Sequence, residues 1–239
     1  MRNVKLGVNI DHVATLRQAR GEQNPDTVEA ARVVYGSGGD LVVMHLRQDR
    51  RHIQDSDIER VRHEVKGLIH LEMAAVPEME KLALRFRPDS VCLVPESPKE
   101  LTTQGGMKLD GKNPALEKII KNLSKSGIEV SVFADPEPGA IRAAHNMGAD
   151  SIELCTKNYA ACWGKKLQAK ELEKLQLAGF LVKELGMELH AGHGLDYYNV
   201  APVARIEGMD CLNIGFAIVS RAMFVGLKSA VAEMKRLIQ

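Results

Sequence analysis

Residues 126–155 read SGIEVSVFADPEPGAIRAAHNMGADSIELC. A helix-ending glycine leads into a β-rich apolar run, a helical stretch follows, and the glycine–strand signal then returns. LGMELHAG at 185–192 repeats it. Working outward, β-rich runs fall near 4–10, 40–46, 68–73, 90–94, 128–133, 150–155, 187–191 and 210–214. Helical patterns near 25–36, 55–66, 77–86, 113–126, 136–147, 167–185 and 198–206 separate them, and a last one runs from about 218 to 237. Pro25 suits the first turn of the first of these helices, and Asp26 with Glu29 resembles a capping box. Strand–helix alternation argues for a parallel sheet. Eight βα units predict an α/β fold, a (β/α)8 TIM barrel with extra helices, in a single domain over 1–239. A doubly wound open sheet ranks second, because no GxGxxG opens its first helix.

Composition narrows the function classes. The 239 residues are 45% apolar and 26% charged, which suits a soluble protein with a large core. A net charge of +1 supplies no global field to recruit nucleic acid or membrane. Cys92, Cys155, Cys162 and Cys211 form no CxxC pair, so a reduced, cytoplasmic protein is expected. Neither a hydrophobic leader nor a membrane-spanning run is expected.

The strand ends carry the chemistry. LGVNID closes on Asn9 and Asp11, with His12 next; DLVVMHLR closes on His45 and Arg47. LIHLEM carries Glu72, SIELCT carries Glu153 and Thr156, and ELHAGHG closes on His193. Parallel α/β enzymes gather catalytic groups at the C-terminal ends of their strands, so these residues predict one rim. HLRQDRRH at 45–52 offers Arg47, Arg50, Arg51 and His52 to an anion, a solvated charge run being the plainer alternative. Glu72 in so apolar a strand needs a partner or a raised pKa. Either outcome suits a general base, while a buried ion pair with an arginine is the competing reading; Glu153 poses the same choice. Gly192-His193-Gly194 and Asn213-Ile214-Gly215-Phe216 follow strands 7 and 8. Each glycine alone reads as a turn, but barrel loops there often bind phosphate through backbone N–H groups, which together they favour, with His193 beside them as an acid or base. Arg17 and Arg20 follow strand 1; with Asp11 and His12 facing the rim Arg20 can reach it, a basic helix face being the equal alternative. The irregular stretch 95–114, with Gly105, Gly106 and Gly111, reads as a lid or as a plain loop. No HExxH or HxH spacing occurs, so no metal is expected.

NIDHVATLRQARG (9–21), HLRQDRRHI (45–53), LEMA (71–74), CLVPE (92–96), TTQGG (102–106), HAGHGL (190–195) and LNIG (212–215) together resemble the pyridoxine 5′-phosphate synthase family. That is the deoxyxylulose-phosphate-dependent branch of vitamin B6 synthesis, and the resemblance spans essentially the whole chain. It implies a cofactor-free (β/α)8 barrel. The implied reaction condenses 1-deoxy-D-xylulose 5-phosphate with 3-amino-2-oxopropyl phosphate, giving pyridoxine 5′-phosphate, inorganic phosphate and water. It also implies His45 and Glu72 as proton acceptors, His193 as proton donor and Glu153 as a transition-state-stabilising carboxylate. Asp11, His12, Arg47, His52 and Thr102 match the deoxyxylulose-phosphate site. Asn9, Arg20, Gly194, Gly215 and position 216 match the amino-ketone phosphate site. A homo-octamer built from dimers is implied as well. Two positions depart: Phe216 stands where family members often have histidine, and Lys157 where glycine is frequent. Two other function classes stay open, a Schiff-base aldolase using Lys157 and a non-catalytic phosphosugar-binding protein.

Overall fold

A computed structural model describes residues 4–96, 105–109 and 113–239. Within them the chain runs β1 (Lys5–Asn9), α1 (Asp11–Arg20), α2 (Thr27–Gly36), β2 (Leu41–His45), α3 (Asp55–Glu64), β3 (Leu68–Ala74), α4 (Pro77–Phe86) and β4 (Ser90–Val94). It continues through α5 (Pro114–Lys125), β5 (Glu129–Ala134), α6 (Pro138–Asn146), β6 (Ser151–Cys155), α7 (Lys157–Ala161), α8 (Gln168–Glu184) and β7 (Glu188–Gly192). α9 (Val200–Ala204), β8 (Met209–Ile214), α10 (Phe216–Val225) and α11 (Leu227–Ile238) complete it. The strands pair in parallel in sequence order, and β1 closes on β8. This is the expected (β/α)8 barrel.

Strand alternation divides the interior in two. One set of side chains, including Leu6, Val8, Val42, Met44, Leu71, Leu93, Val132 and Leu154, joins Val28, Ile58, Met79 and Ile120 of the helices in one buried core. Burying each such side chain contributes ~1.5–3 kcal/mol. The alternate set faces the barrel axis and is mixed. His45, His70, Ser131, Glu153 and Asn213 are all buried there, beside two small apolar clusters, one of Cys92, Val94, Phe133 and Cys155 and one of Leu41, Val43 and Cys211. Among the described residues, His70 Nε2, Ser131 Oγ and His190 Nδ1 find no hydrogen-bond partner. The main apolar core therefore lies between barrel and helices, and most buried polar groups lie on the axis.

At the N-terminal rim one interaction recurs. Asp40, Asp89, Asp150 and Asp210 each accept a backbone N–H from the preceding odd-numbered strand: Leu6 (2.6 Å), Ile69 (2.9 Å), Val130 (2.8 Å) and Leu189 (2.8 Å). Each aspartate stands at the start of an even-numbered strand, so strands are tied in pairs. A carboxylate satisfies an N–H that the ladder leaves open there.

The helices differ from the sequence expectation in four places. Residues 11–20, with no helix expected, form α1, because the face it buries includes Asp11 and Arg17 and so shows no clean apolar period. Arg17 bonds both oxygens of Asp57 (2.5 and 2.7 Å), and Asp57 also accepts from Thr27 Oγ1 (2.9 Å) and Gln54 N (2.8 Å). α2 starts at Thr27, with Asp26 as the cap accepting Val28 N (3.1 Å), so Pro25 precedes the helix. The short α7 was not anticipated. The single C-terminal helix expected over 218–237 is broken into α10 and α11 at Gly226, whose φ of 79° no helix accommodates.

Asp89 also ion-pairs with Arg62 at the surface (3.0 Å). Removing the carboxylate strands the amide of Ile69, which is 1% exposed, whereas removing Arg62 breaks only a solvent-facing pair. Asp89→Ala is expected to lower unfolding free energy by ~1–3 kcal/mol, and Arg62→Ala by under ~1 kcal/mol, in urea titrations.

Candidate active site

The C-terminal strand ends open into a cavity of about 1060 Å³. Its wall takes Asn9 from β1, Asp11 and His12 from the first turn of α1, and His45 from β2. Arg47, Arg51 and His52 come from the loop after β2, Glu72 from β3 and Glu153 from β6. His193 and Gly194 stand where β7 ends, and Gly215 and Phe216 where α10 begins. Of the site residues expected from sequence, two stand apart. Arg20 ends α1 and ion-pairs with Glu22 on the surface (3.2 Å), off the cavity wall. Thr102 lies outside the described residues, as does most of the lid expected over 95–114. From that stretch, Gly106 N bonds Asp135 Oδ1 (3.0 Å) and Met107 N bonds Phe133 O (2.8 Å). The basic cluster also loses a member: Arg50 turns to Asp55 (2.7 Å) and Glu78 (3.0 Å). Lys157 begins α7 and is not part of the wall.

Register sets the central pair. His45 and Glu72 are lateral partners in β2 and β3, which brings His45 Nδ1 to 3.6 Å from Glu72 Oε2. Glu72 therefore faces an imidazole, and the arginine ion pair weighed for it does not form among the described residues. A relay of backbone bonds fixes this corner. Asn9 Oδ1 accepts Asp11 N (2.9 Å), and Asp11 Oδ1 accepts His45 N (2.8 Å). The other imidazole nitrogen, Nε2, lies 2.9 Å from Glu96 Oε1, just beyond β4. Sequence reasoning missed Glu96; its only signal was membership of the CLVPE segment. On the far strands, Asn213 Nδ2 donates to Glu153 Oε2 (2.7 Å).

Two backbone features complete the rim. His193 and Gly194 adopt φ of 75° and 90°, and for the non-glycine His193 that conformation costs ~1–3 kcal/mol. The turn is held by Thr156 Oγ1, 2.8 and 2.7 Å from the carbonyl oxygens of Gly192 and His193, and by Asn199 Nδ2 donating to Gly194 O (3.0 Å). Gly215 packs so closely on β1 that a Cβ there would lie 2.8 Å from Asn9 Cβ. It caps α10, whose free N–H groups and dipole favour an anion at the cavity edge. Phe216 opens that helix 70% exposed, its ring edge-on to His12 at 5.3 Å.

Burial governs the protonation states. It raises Asp11 to about 6, against the pull of His45, Asn9 and Arg47. Burial, then the charges of Glu153 and Asp11, lifts Glu72 well above the usual carboxylate range. Glu153 is raised by burial despite its bond from Asn213. Burial lowers His12, and it lowers His193 with help from Lys157. His52 falls to about 3, first by burial and then by His45 and His12. The wall thus mixes carboxyls biased toward holding a proton with imidazoles, His12, His52 and His193, biased toward losing one, a set suited to moving protons.

Two triads bring potential metal donors within 4.8 Å of one another: Asp11, His45 and Glu72, and deeper His70, Cys92 and Glu153. A cation at either would have to displace protons from Glu72 or from Cys92, whose thiol burial pushes far up.

Comparison with known proteins gives the site a context. Residues 6–239 match the family described as pyridoxal phosphate biosynthesis protein PdxJ. A pyridoxine 5′-phosphate synthase of Elusimicrobium minutum is 53% identical over 237 residues, 99% of this chain and 98% of the relative. One from Syntrophotalea carbinolica is 50% identical over 98% of each chain. Among solved structures, a thiamine phosphate pyrophosphorylase from Pyrococcus furiosus superposes with a TM-score of 0.63, covering 99% of this chain and 96% of that one; at 16% identity it shares the fold alone.

A raised Asp11 binds its proton more tightly folded than unfolded. Its favourable contribution is therefore complete below about pH 4 and lost as pH rises through about 6. Asp11→Asn keeps an oxygen for the His45 amide and carries no charge. The stability of this variant relative to wild type is expected to grow from pH 4 to pH 7, by on the order of 2–3 kcal/mol. Denaturant titrations at both pH values measure the difference; a pH-independent gap would refute the assignment.

Proposed function

The chain belongs to the PdxJ family of pyridoxal phosphate biosynthesis proteins, and we infer that it is a synthase making pyridoxine 5′-phosphate from phosphosugar-type substrates. Its substrates are 1-deoxy-D-xylulose 5-phosphate and 3-amino-2-oxopropyl phosphate, and phosphate and water leave. The observation that carries this reading is one cavity whose wall holds Asp11, His45, Glu72, Glu153 and His193 between the Arg47–His52 segment and the glycine turns at Gly194 and Gly215.

Arg47 and His52, with Asp11 and His12, receive the deoxyxylulose phosphate. Arg47 is 3% exposed, so its guanidinium meets the phosphate with little competing water. Gly194, Gly215 and the first N–H groups of α10 receive the second phosphate, with Asn9 beside them. Arg20 joins this subsite by swinging from Glu22, and Thr102 joins the first. The substrate amine forms the imine with the ketone of its partner, so no enzyme lysine is needed, in keeping with the position of Lys157 off the wall.

Ring closure needs repeated proton transfers. His45 and Glu72 withdraw protons during elimination, and Glu153 stabilises developing positive charge. His193 protonates a leaving oxygen. It is neutral in the free protein, and a phosphate dianion arriving at Gly194 raises its affinity for the proton it must give. The assembly proposed is a homo-octamer built from dimers, whose contacts would cover exposed apolar side chains such as Leu177 and Phe180 of α8 and Met223 of α10. The four unpaired cysteines fit a reducing cytoplasm.

The purified protein mixed with both phosphorylated substrates is expected to release phosphate and form pyridoxine 5′-phosphate; folded protein without product overturns the reading. Glu72→Gln is expected to lower turnover by ~10²–10⁴. Borohydride added with substrate is expected to leave Lys157 unmodified, since a trapped adduct would mark aldolase chemistry. Phe216→His adds a donor beside the α10 N-terminus and is expected to lower KM for the amino-ketone phosphate by about tenfold.

A further inference from the structure

The carboxylate of Glu96 belongs to none of the roles above, yet it makes the shortest side-chain contact of His45. Glu96 follows β4, and its side chain is 4% exposed. Oε1 lies 2.9 Å from His45 Nε2, and Oε2 accepts the backbone N–H of Gln48 (3.1 Å). The carboxylate is thus clamped by two bonds, both to the segment that carries His45. The imidazole is held equally firmly at its backbone, where the His45 N–H donates to Asp11. Its Nδ1 points the other way, toward Glu72 at 3.6 Å.

Chemistry fixes the rest. An ionised carboxylate only accepts hydrogen bonds, so a 2.9 Å contact requires the proton to sit on Nε2. Burial opposes ionisation of Glu96, but the His45 bond and charge, the Gln48 N–H and Arg47 outweigh it and hold the carboxyl below its ordinary range. Glu72 has the opposite bias, its carboxyl pushed toward the protonated form. One imidazole therefore stands between a carboxyl biased toward ionisation and one biased toward holding its proton.

We propose that Glu96 is a positioning residue that locks His45 in the Nε2–H tautomer, making Nδ1 the proton-accepting atom and stabilising the imidazolium that results. The proposal rests on the reading of His45 as a base. When Nδ1 takes a proton from Glu72 or from substrate, the electron pair of the broken bond stays with the donor, and the new positive charge on the ring is balanced by Glu96. The proton then returns through Nδ1 to a leaving oxygen or to water, and Glu96 never carries it. The same orienting role is played by the buried aspartate of serine-protease triads, where the amide replacement leaves geometry intact but permits the wrong tautomer.

Nitrogen-15 shifts of the His45 ring in the wild-type protein test the tautomer directly; Nε2–H is expected, and Nδ1–H overturns the proposal without any variant. Glu96→Gln is expected to lower kcat by ~10²–10⁴-fold while KM for both substrates and the melting temperature stay near wild type. Its ring spectrum is expected to gain Nδ1–H, and Glu96→Asp to recover part of kcat. The groups facing His45 are Glu96, Glu72 of β3, Asp11 of α1, and Arg47 and His52 of the loop after β2. Only the first is altered, so the acidic limb of the rate profile is expected to move to lower pH. Wild-type kcat with an unchanged tautomer, or a loss confined to KM or stability, overturns the proposal. A wild-type protein that makes no pyridoxine 5′-phosphate instead sinks the underlying function.

Discussion

Four carboxylates on four backbone amides, at the rim opposite the cavity, hold this barrel in register. A strand has a side-chain period of two, so a slip of one residue exchanges its inner and outer faces. In β2 and β3 such a slip would turn His45 and Glu72 into the helix layer and bring Met44 and Leu71 to the axis. Asp40, Asp89, Asp150 and Asp210 oppose this by fixing where each strand pair begins. Within each pair the rim is thus set by bonds made at the other end of the same strands, while the ladder between β2 and β3 joins His45 to Glu72.

With register fixed, the protein can tolerate an axis that is costly to fold. Asp11, Glu72 and Glu153 are carboxyls whose ionised forms burial disfavours, and His70 is pushed to about 3 by the same cause. Groups in this state destabilise the fold while remaining ready to exchange protons. The compensation lies one layer outward, in the continuous apolar core between strands and helices. Stability and reactivity are separated by the two faces of the same strands, as the left-handed His193 turn also shows: its strain is borne by Thr156 and Asn199, neither of which faces the chemistry directly.

Most of this was legible in the residues because strand periods and glycine stops are local signals. The eight βα units and the wall residues at the strand ends follow from them, whereas Tyr197, Tyr198, Arg221 and Phe224 of the wall do not. What was not legible depended on partners distant in sequence. α1 escapes because Arg17 looks like a surface residue until Asp57, 40 positions away, is folded beneath it. Glu96 escapes because a carboxylate after a proline in a loop has no meaning until His45 arrives 51 positions off. Arg50 reads as one more anion ligand in a basic run, and only the fold shows Asp55 and Glu78 claiming it. Arg20 was expected at the rim from its distance along the chain, and its side chain instead lies on Glu22.

The paired aspartates also order the assembly of the chain in time. They span sequence separations of 34, 20, 20 and 21 residues, short loops whose closure entropy is small. Each clamped pair is a local unit able to form early, whereas the β1–β8 seam joins the two ends of the chain and must come late. Lys235 of α11 reaches across that seam to Val4 O (3.0 Å) and to Asp40 (2.6 Å), so the last helix latches the first clamp. The cavity wall draws Asn9 and Asp11 from one side of the seam and Asn213 and Gly215 from the other. The substrate site is therefore complete only once that seam has closed.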